Sequence, residues 1–360
     1  MKRTMALFVG SMMLMFTLVA CSSSNEEVDM AGEEVEPLAE PNLPEKDSAE
    51  IEEPEPYGFF PLTGVEIEEG TDIDYRAFGV MVENSLSARP QSGLYQADVV
   101  YEVLAEGTIT RLLAFYHSQK ADRIGPVRSA RDYNVYLNKG YDAIYVSAGG
   151  SPAAFSLVNS GYVDYINGLT YDGRFLHRSS DRVAPHNLYT SYEDLAAAVE
   201  AIGFEFERAV PDALIFKNQL DEIEGKSAIH FEVKYGSTNN NVQFEYDEEL
   251  KKYRRSNGGI PTEDLETGEL VTPKNVFIVE APHQVIPGDN AGRRDIDIEA
   301  GGRAYLIQEG MLQEVMWQNV DGIILPFRND KQLPFLPGQT WINLVPSGNG
   351  GLDSYVEIFN

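Results

Sequence analysis

The sequence predicts an α+β protein: an N-terminal mixed α/β sheet domain followed by a mostly antiparallel β C-terminal domain. Three observations predict it. Runs rich in apolar, aromatic and β-branched residues at Ala77 to Val82, Asp98 to Leu104, Ile109 to Tyr116 and Ala143 to Ala148 read as buried strands. Helical segments with recognisable start and stop residues alternate with the later ones. From Leu214 onward the pattern changes to short β-forming runs between Gly, Pro and Asn turns. The span 58–360 exceeds what one core usually serves, so it divides into two domains, 58–213 and 214–360.

The chain opens with an address. Met1-Lys2-Arg3 is a basic leader, and Ala6 to Val19 is an apolar run too short for a comfortable membrane span, so residues 1–20 read as a secretory signal. It ends in Leu18-Val19-Ala20-Cys21, a lipobox, and Cys21 is the single cysteine of the chain. A thiol placed there is converted to a thioether-linked diacylglycerol, which puts the protein on the outer face of the cytoplasmic membrane. The alternative is an ordinary signal peptide with an incidental cysteine. Cys21→Ser is expected to release the protein from membranes; membrane fractionation checks this, and an unchanged distribution would refute lipidation. With that thiol used, no internal disulfide is available.

Residues 21–57 form an acidic tether. Glu26 to Glu55 carry thirteen acidic residues against Lys46 alone, a net of −12, and prolines stand at 37, 41, 44, 54 and 56. Such a composition favours a solvated, extended spacer. Removing this and the leader's +2 from the total of −29 leaves −19 on residues 58–360. That excludes nucleic acid as a general ligand, since no basic footprint is present. The charge is uneven, however. Between Arg76 and Arg182 nine Arg and two Lys face ten Asp or Glu, so this stretch is near neutral inside a strongly acidic chain.

In the N-terminal half, Gly125-Pro126 leads into a predicted helix over Val127 to Asn138 that stops at Gly140, with proline in the first turn and Arg128 and Arg131 sharing a face. Gly149-Gly150-Ser151-Pro152 opens a second helix, Ser151 being an N-cap and Pro152 a first helical residue. Ser191 with Asp194 begins a third, ending at Gly203. Two helix starts opening to the same side would make an anion pocket. In the C-terminal half, Ile229 to Tyr235, Val242 to Tyr246, Val276 to Val279, Ile296 to Ile298, Arg303 to Gln308, Met311 to Trp317 and Thr340 to Val345 read as strands. Trp317 and Trp341 read as core anchors.

The candidate binding residues are basic or lie beside those glycine turns: Arg89, Arg111, Arg128, Ser129, Arg131, Gly149, Gly150, Ser151, Arg178, Arg182, His186 and Asn187. In one reading they converge on an anionic ligand; in the other the arginines pair with Asp98, Glu102, Glu106 and Asp132 and hold loops together. The first reading expects Arg128→Ala and Arg131→Ala to weaken binding without changing the melting transition. Glu102 and Glu106, four apart in a strand, would share a face and so serve as an acid and base on a glycan, or else neutralise arginines. Ser129 with His186 lacks a nucleophile elbow. His177 and His186 with Asp172 and Asp181 lack metal spacing, and no cofactor motif is present.

RPQSGL at Arg89 to Leu94, ADVVYE at Ala97 to Glu102, EG at Glu106-Gly107, TR at Thr110-Arg111, IGPVRSAR at Ile124 to Arg131, GGSP at Gly149 to Pro152 and PHNLY at Pro185 to Tyr189 resemble the YerB-like lipoproteins of Gram-positive bacteria. KNV at Lys274 to Val276 and PGQTWI at Pro337 to Ile342 resemble that family's second domain. The resemblance implies a two-domain fold and a lipid-anchored address rather than a reaction. A looser similarity of order and chemistry links the strand, arginine and Gly-Gly elements to LytR-CpsA-Psr transferases, although Ser-Ala-Arg-Asp only approximates their motif. The function expected is therefore binding of an anionic wall polymer, a lipid-linked precursor or an envelope-synthesis protein. The alternative is an enzyme on wall polymers, either a transferase from polyprenyl phosphate carriers or a glycan hydrolase.

Overall fold

In the N-terminal half, four strands carry apolar side chains on both faces, because the sheet they form is covered on both sides. They are β1 (Phe78–Glu83), β2 (Val99–Glu106), β3 (Ile109–Tyr116) and β4 (Ile144–Ser147), and β5 (Tyr165–Asn167) extends the same sheet. The computed structural model describes residues 57–217 and 223–359, which fall in one compact unit. The signal, Cys21 and most of the tether lie outside the described residues.

The C-terminal half contributes β6 (His230–Val233), β7 (Val242–Asp247) and β8 (Lys252–Asn257), whose inward and outward residues alternate, as expected of strands covered on one face. It continues with β9 (Asn275–Ala281), β10 (Gly302–Gln308), β11 (Met311–Val320), β12 (Ile323–Arg328), β13 (Thr340–Pro346) and β14 (Val356–Phe359). β6, β7, β8 and β14 build a small antiparallel sheet in the order β8-β7-β6-β14, with Ile260–Pro261 beyond β8.

The large sheet runs β12-β11-β10-β9-β13-β2-β3-β1-β4-β5, with two-residue strands at Lys331–Gln332 and Lys226–Ser227 beside it. Its centre joins the two halves. β13 lies parallel to β9 on one side, Trp341 opposite Val276, and parallel to β2 on the other, Trp341 opposite Val100. The mixed N-terminal sheet and the mostly antiparallel C-terminal strands expected from the sequence are both present, and they are hydrogen-bonded into one surface.

Among the described residues, four helices pack around it. α1 (Asp132–Gly140) and α2 (Pro152–Asn159) cover one face, where Tyr133, Val135, Leu137, Ala154 and Val158 meet Met81, Tyr101, Leu113 and Phe115. α3 (Tyr192–Ile202) and the small sheet cover the other, where Tyr192, Leu195, Phe231, Phe244 and Tyr253 meet Phe78, Val80, Val100 and Leu112. α4 (Leu352–Tyr355) is a single turn before β14. Trp317 and Trp341 are buried anchors, as expected. Ser151 and Ser191 cap α2 and α3 by accepting from the N–H groups of Ala154 and Asp194, and Gly203 ends α3 at φ +86°. No described helix is long and apolar enough to cross a membrane.

One helix starts later than its sequence suggests. Val127 to Arg131 is extended because its backbone donors are already taken: Val127 N–H donates to Leu188, Arg128 N–H to Met81 and Ala130 N–H to Gly149. α1 therefore begins at Asp132, and Arg128 and Arg131 do not lie on a helical face.

Candidate functional site

β1, β2 and β4 point the same way, so the ends of β1 and β2 and the turn after β4 share one edge of the sheet, the side on which open α/β sheets hold their ligands. Glu83 ends β1 and faces Arg111 across the register. Glu106 ends β2. From these positions a ladder of alternating charge is built. Arg128 Nε donates to Glu83 Oε2 at 2.6 Å, Arg111 lies 3.8 Å from the same oxygen and 3.1 Å from Glu106 Oε2, and Arg131 closes on Glu106 Oε1. Three guanidiniums thus share two carboxylates. Burial opposes ionisation of Glu83, yet Arg111, Arg128 and the Ser85 N–H together hold its carboxyl below the ordinary range. Burial lowers Arg131, an effect that nearby Arg293 deepens.

At the far end of this ladder the two helix starts lie side by side, α2 where the sequence places it and α1 five residues later. Ala130 and Gly150 bridge, which sets the first residues of α1 beside those of α2. A cavity of about 410 Å³ opens there, walled by Arg131 and Asp132 from α1, Ser151 to Ala153 from α2, and Asp289, Arg293 and Arg294 from a hairpin of the C-terminal half. Arg293 is matched by Asp289 at 2.8 Å. Arg294 donates to the Gly107 carbonyl at 2.7 Å. The Nε atoms of both Arg131 and Arg294 are buried without a hydrogen-bond partner among the described residues, which is costly. A larger hollow of about 500 Å³ between Phe59, Phe60, Leu214 and Phe216 includes Asp74 and Asp212 in its walls and no guanidinium, so it offers nothing to an anion.

The predicted residues do not all meet. Arg111, Arg128, Ser129, Arg131, Gly149, Gly150 and Ser151 gather on the α1 and α2 side, with Ser129 Oγ donating to the Ala148 carbonyl at 3.2 Å and its own carbonyl accepting from Arg111. Arg89 lies on the side of the small sheet, donating to the carbonyls of Asn84 and Asn239, and burial with Arg255 nearby pulls it down to about 10. Arg178 pairs with Asp172 at 2.7 Å and donates to Asn187 Oδ1 at 3.0 Å, a separate surface site. Arg182 reaches the Pro90 carbonyl. His186 Nε2 lies 3.1 Å from Ser87 Oγ, so Ser129 is not its partner, and burial lowers the ring. Because Arg128 and Arg131 are ion-paired, their removal costs stability, contrary to the expectation of an unchanged melting transition.

Glu102 and Glu106 also part company. A bulge between Leu104 and Glu106 turns the end of β2, so the two carboxylates occupy opposite faces of the sheet. Glu102 is fully buried toward the small sheet. Its oxygens accept from Asn84 Nδ2 at 3.0 Å, Thr110 Oγ1 at 2.8 Å, Arg255 at 2.8 Å and Trp341 Nε1 at 2.9 Å. Neither pair geometry nor access for an acid and base on a glycan is present.

Arg293, Arg294 and Glu83 were missed by reading along the chain. The signal available was Arg293-Arg294 directly after the Gly292 turn, two adjacent cations in a region otherwise acidic. The same hairpin contains His283, whose Nδ1 lies 2.8 Å from the Ala281 carbonyl; burial, with Arg294 adding to it, lowers the ring to about 4. Its unfolded value near 6.5 is higher, so the unfolded chain binds more protons between about 6.5 and 4. This contribution to stability is therefore present above about 6.5 and lost as pH falls toward about 4. His283→Gln is expected to flatten the slope of unfolding free energy against pH in that window, measured by urea denaturation; an unaltered slope would remove His283 as its source.

Comparison with known proteins agrees with the motifs and the fold. Residues 62–205 match the N-terminal domain, and residues 231–342 the C-terminal domain, of a family described as protein of unknown function DUF3048. A Bacillus subtilis (strain 168) protein named as the lipoprotein YerB is 45% identical over 288 residues, 79% of this chain and 86% of its own length. The crystal structure of the YerB protein from Bacillus subtilis is similar at a TM-score of 0.76 and 43% identity, over 84% of this chain and 99% of that one. With both halves matched in order and the overall fold shared, the chain belongs to the DUF3048 family of YerB-like lipoproteins.

Proposed function

We propose that this protein is held through Cys21 on the outer face of the cytoplasmic membrane of a Gram-positive envelope. There it binds an anionic group of a wall polymer, a lipid-linked precursor or an envelope-synthesis protein. The observation that carries the reading is the 410 Å³ cavity lined by Arg293 and Arg294 beside the starts of α1 and α2. Such donors suit phosphate or carboxylate. Binding is favoured over glycan hydrolysis because Glu102 and Glu106 lie on opposite faces of the sheet.

Arg294 is the informative residue to remove, since its side chain serves a single backbone carbonyl rather than an ion pair among the described residues. Arg294→Ala is expected to weaken binding of wall polymers or lipid-linked precursors about tenfold, the worth of one charge-assisted hydrogen bond. The melting transition should move little. Titration of the full chain in detergent checks this: unchanged affinity would overturn the site, and polymer turnover abolished by the variant would favour the enzyme instead.

A further inference from the structure

The walls of the 410 Å³ cavity are not uniformly basic. Asp132 and Asp295 line it as well, and neither makes an ion pair among the described residues. Burial raises the Asp132 carboxyl and Asp295 raises it further, against the opposing pull of backbone N–H groups and Arg131, so two acids neighbour each other on this wall. Local charge balances only when both sets are taken together. The ladder holds one guanidinium more than its carboxylates, Arg294 adds another, Arg293 and Asp289 cancel, and Asp132 with Asp295 removes two. A multiply charged anion would be drawn by the arginines and repelled by the two acids. A ligand carrying both signs would satisfy each.

We propose that the cavity takes a small zwitterion, with an anion on Arg294 beside the starts of α1 and α2 and an ammonium on Asp132 and Asp295. This rests on the anion-binding reading above and narrows it. The volume suits a dipeptide or an aminoalkyl phosphate rather than a folded chain, and a terminus or a headgroup presents both charges at that size. Two sources present that chemistry, the free end of a short peptide and a phosphoethanolamine group.

Calorimetric titration of the full chain in detergent separates them. The probes are alanyl-alanine, its N-acetyl form, its C-terminal amide, phosphoethanolamine and inorganic phosphate. At least one zwitterion is expected to bind, and blocking its ammonium or its anion should weaken it tenfold or more. Tighter binding of alanyl-alanine assigns a peptide end, and tighter binding of phosphoethanolamine a headgroup. Asp132→Asn with Asp295→Asn should remove the preference for the free ammonium while leaving binding of the acetylated form undiminished. Should the double variant melt early, the exposed Asp295→Asn alone serves, with the same direction of change.

Equal binding of the acetylated and free dipeptide, together with equal binding of phosphate and phosphoethanolamine, would overturn the zwitterion and leave a plain anion site. Arg294-dependent binding of wall polymer with no response to any small probe would do the same. No binding of any anionic or zwitterionic probe and none of polymer would overturn both readings.

Discussion

Arg255→Met is expected to lower the unfolding free energy by about 3–5 kcal/mol, measured by urea denaturation. Arg255 and Glu102 form an ion pair at 2.8 Å in which neither side chain is exposed to solvent. Removing the guanidinium strands a carboxylate in the interior, where the lost attraction is not replaced by water. The arginine also stacks on Trp341, its guanidinium 4.3 Å from the ring centre, and donates to Thr262 Oγ1 at 2.6 Å. Because the two residues come from different halves, the loss is shared by both. Glu102→Gln combined with Arg255→Met should recover part of the deficit, since no lone charge is then left inside. A single variant as stable as the parent would sink this account of the pair.

The second large effect is expected at Gly322, in the turn joining β11 to β12. Its φ is +92°, and an added Cβ would stand 2.7 Å from Gly140 Cα and 3.3 Å from the Tyr136 carbonyl oxygen. Both atoms belong to the backbone of α1 and have no side chain to swing aside. Gly322→Ala should therefore cost about 3 kcal/mol, combining an overpacked contact with a left-handed conformation that alanine resists. Thermal denaturation checks it, and a variant melting like the parent would show that the turn can withdraw from the helix. The same contact explains Gly140, which reads in the sequence as a helix stop. It sits in the last turn of α1 because only there can the turn at Gly322 approach so closely.

Strands whose side chains are uniformly apolar or cleanly alternating were legible in the chain, and β2, β3, β9 and β13 stand within a residue or two of where they were read. β8 was not. Its sequence, Lys252-Tyr253-Arg254-Arg255-Ser256-Asn257, looks like a solvated charged run, yet every second residue faces inward and Arg255 is among them. A buried cation is invisible to hydropathy when its counter-charge lies in another strand more than a hundred residues away. β12 was hidden by Pro326, which is tolerated because this strand lies near the sheet's edge. The site was legible in part for the same reason. Ser151, Gly149 and Arg131 are close in sequence to the helix starts they serve, whereas Arg293 and Arg294 arrive from the other half.

The position of β13 bears on how the sheet closes. This strand follows every other strand of the large sheet in the chain, yet it fills the middle of the sheet between β2 and β9. Until residues 340–346 have emerged, β2 presents an open row of backbone donors and acceptors, the kind of edge on which foreign chains assemble. The other strands of the sheet must therefore wait for this one before the sheet can close. A chain cut short of Thr340 would leave two partners held apart by a missing middle and prone to aggregate, rather than a smaller protein with one domain intact.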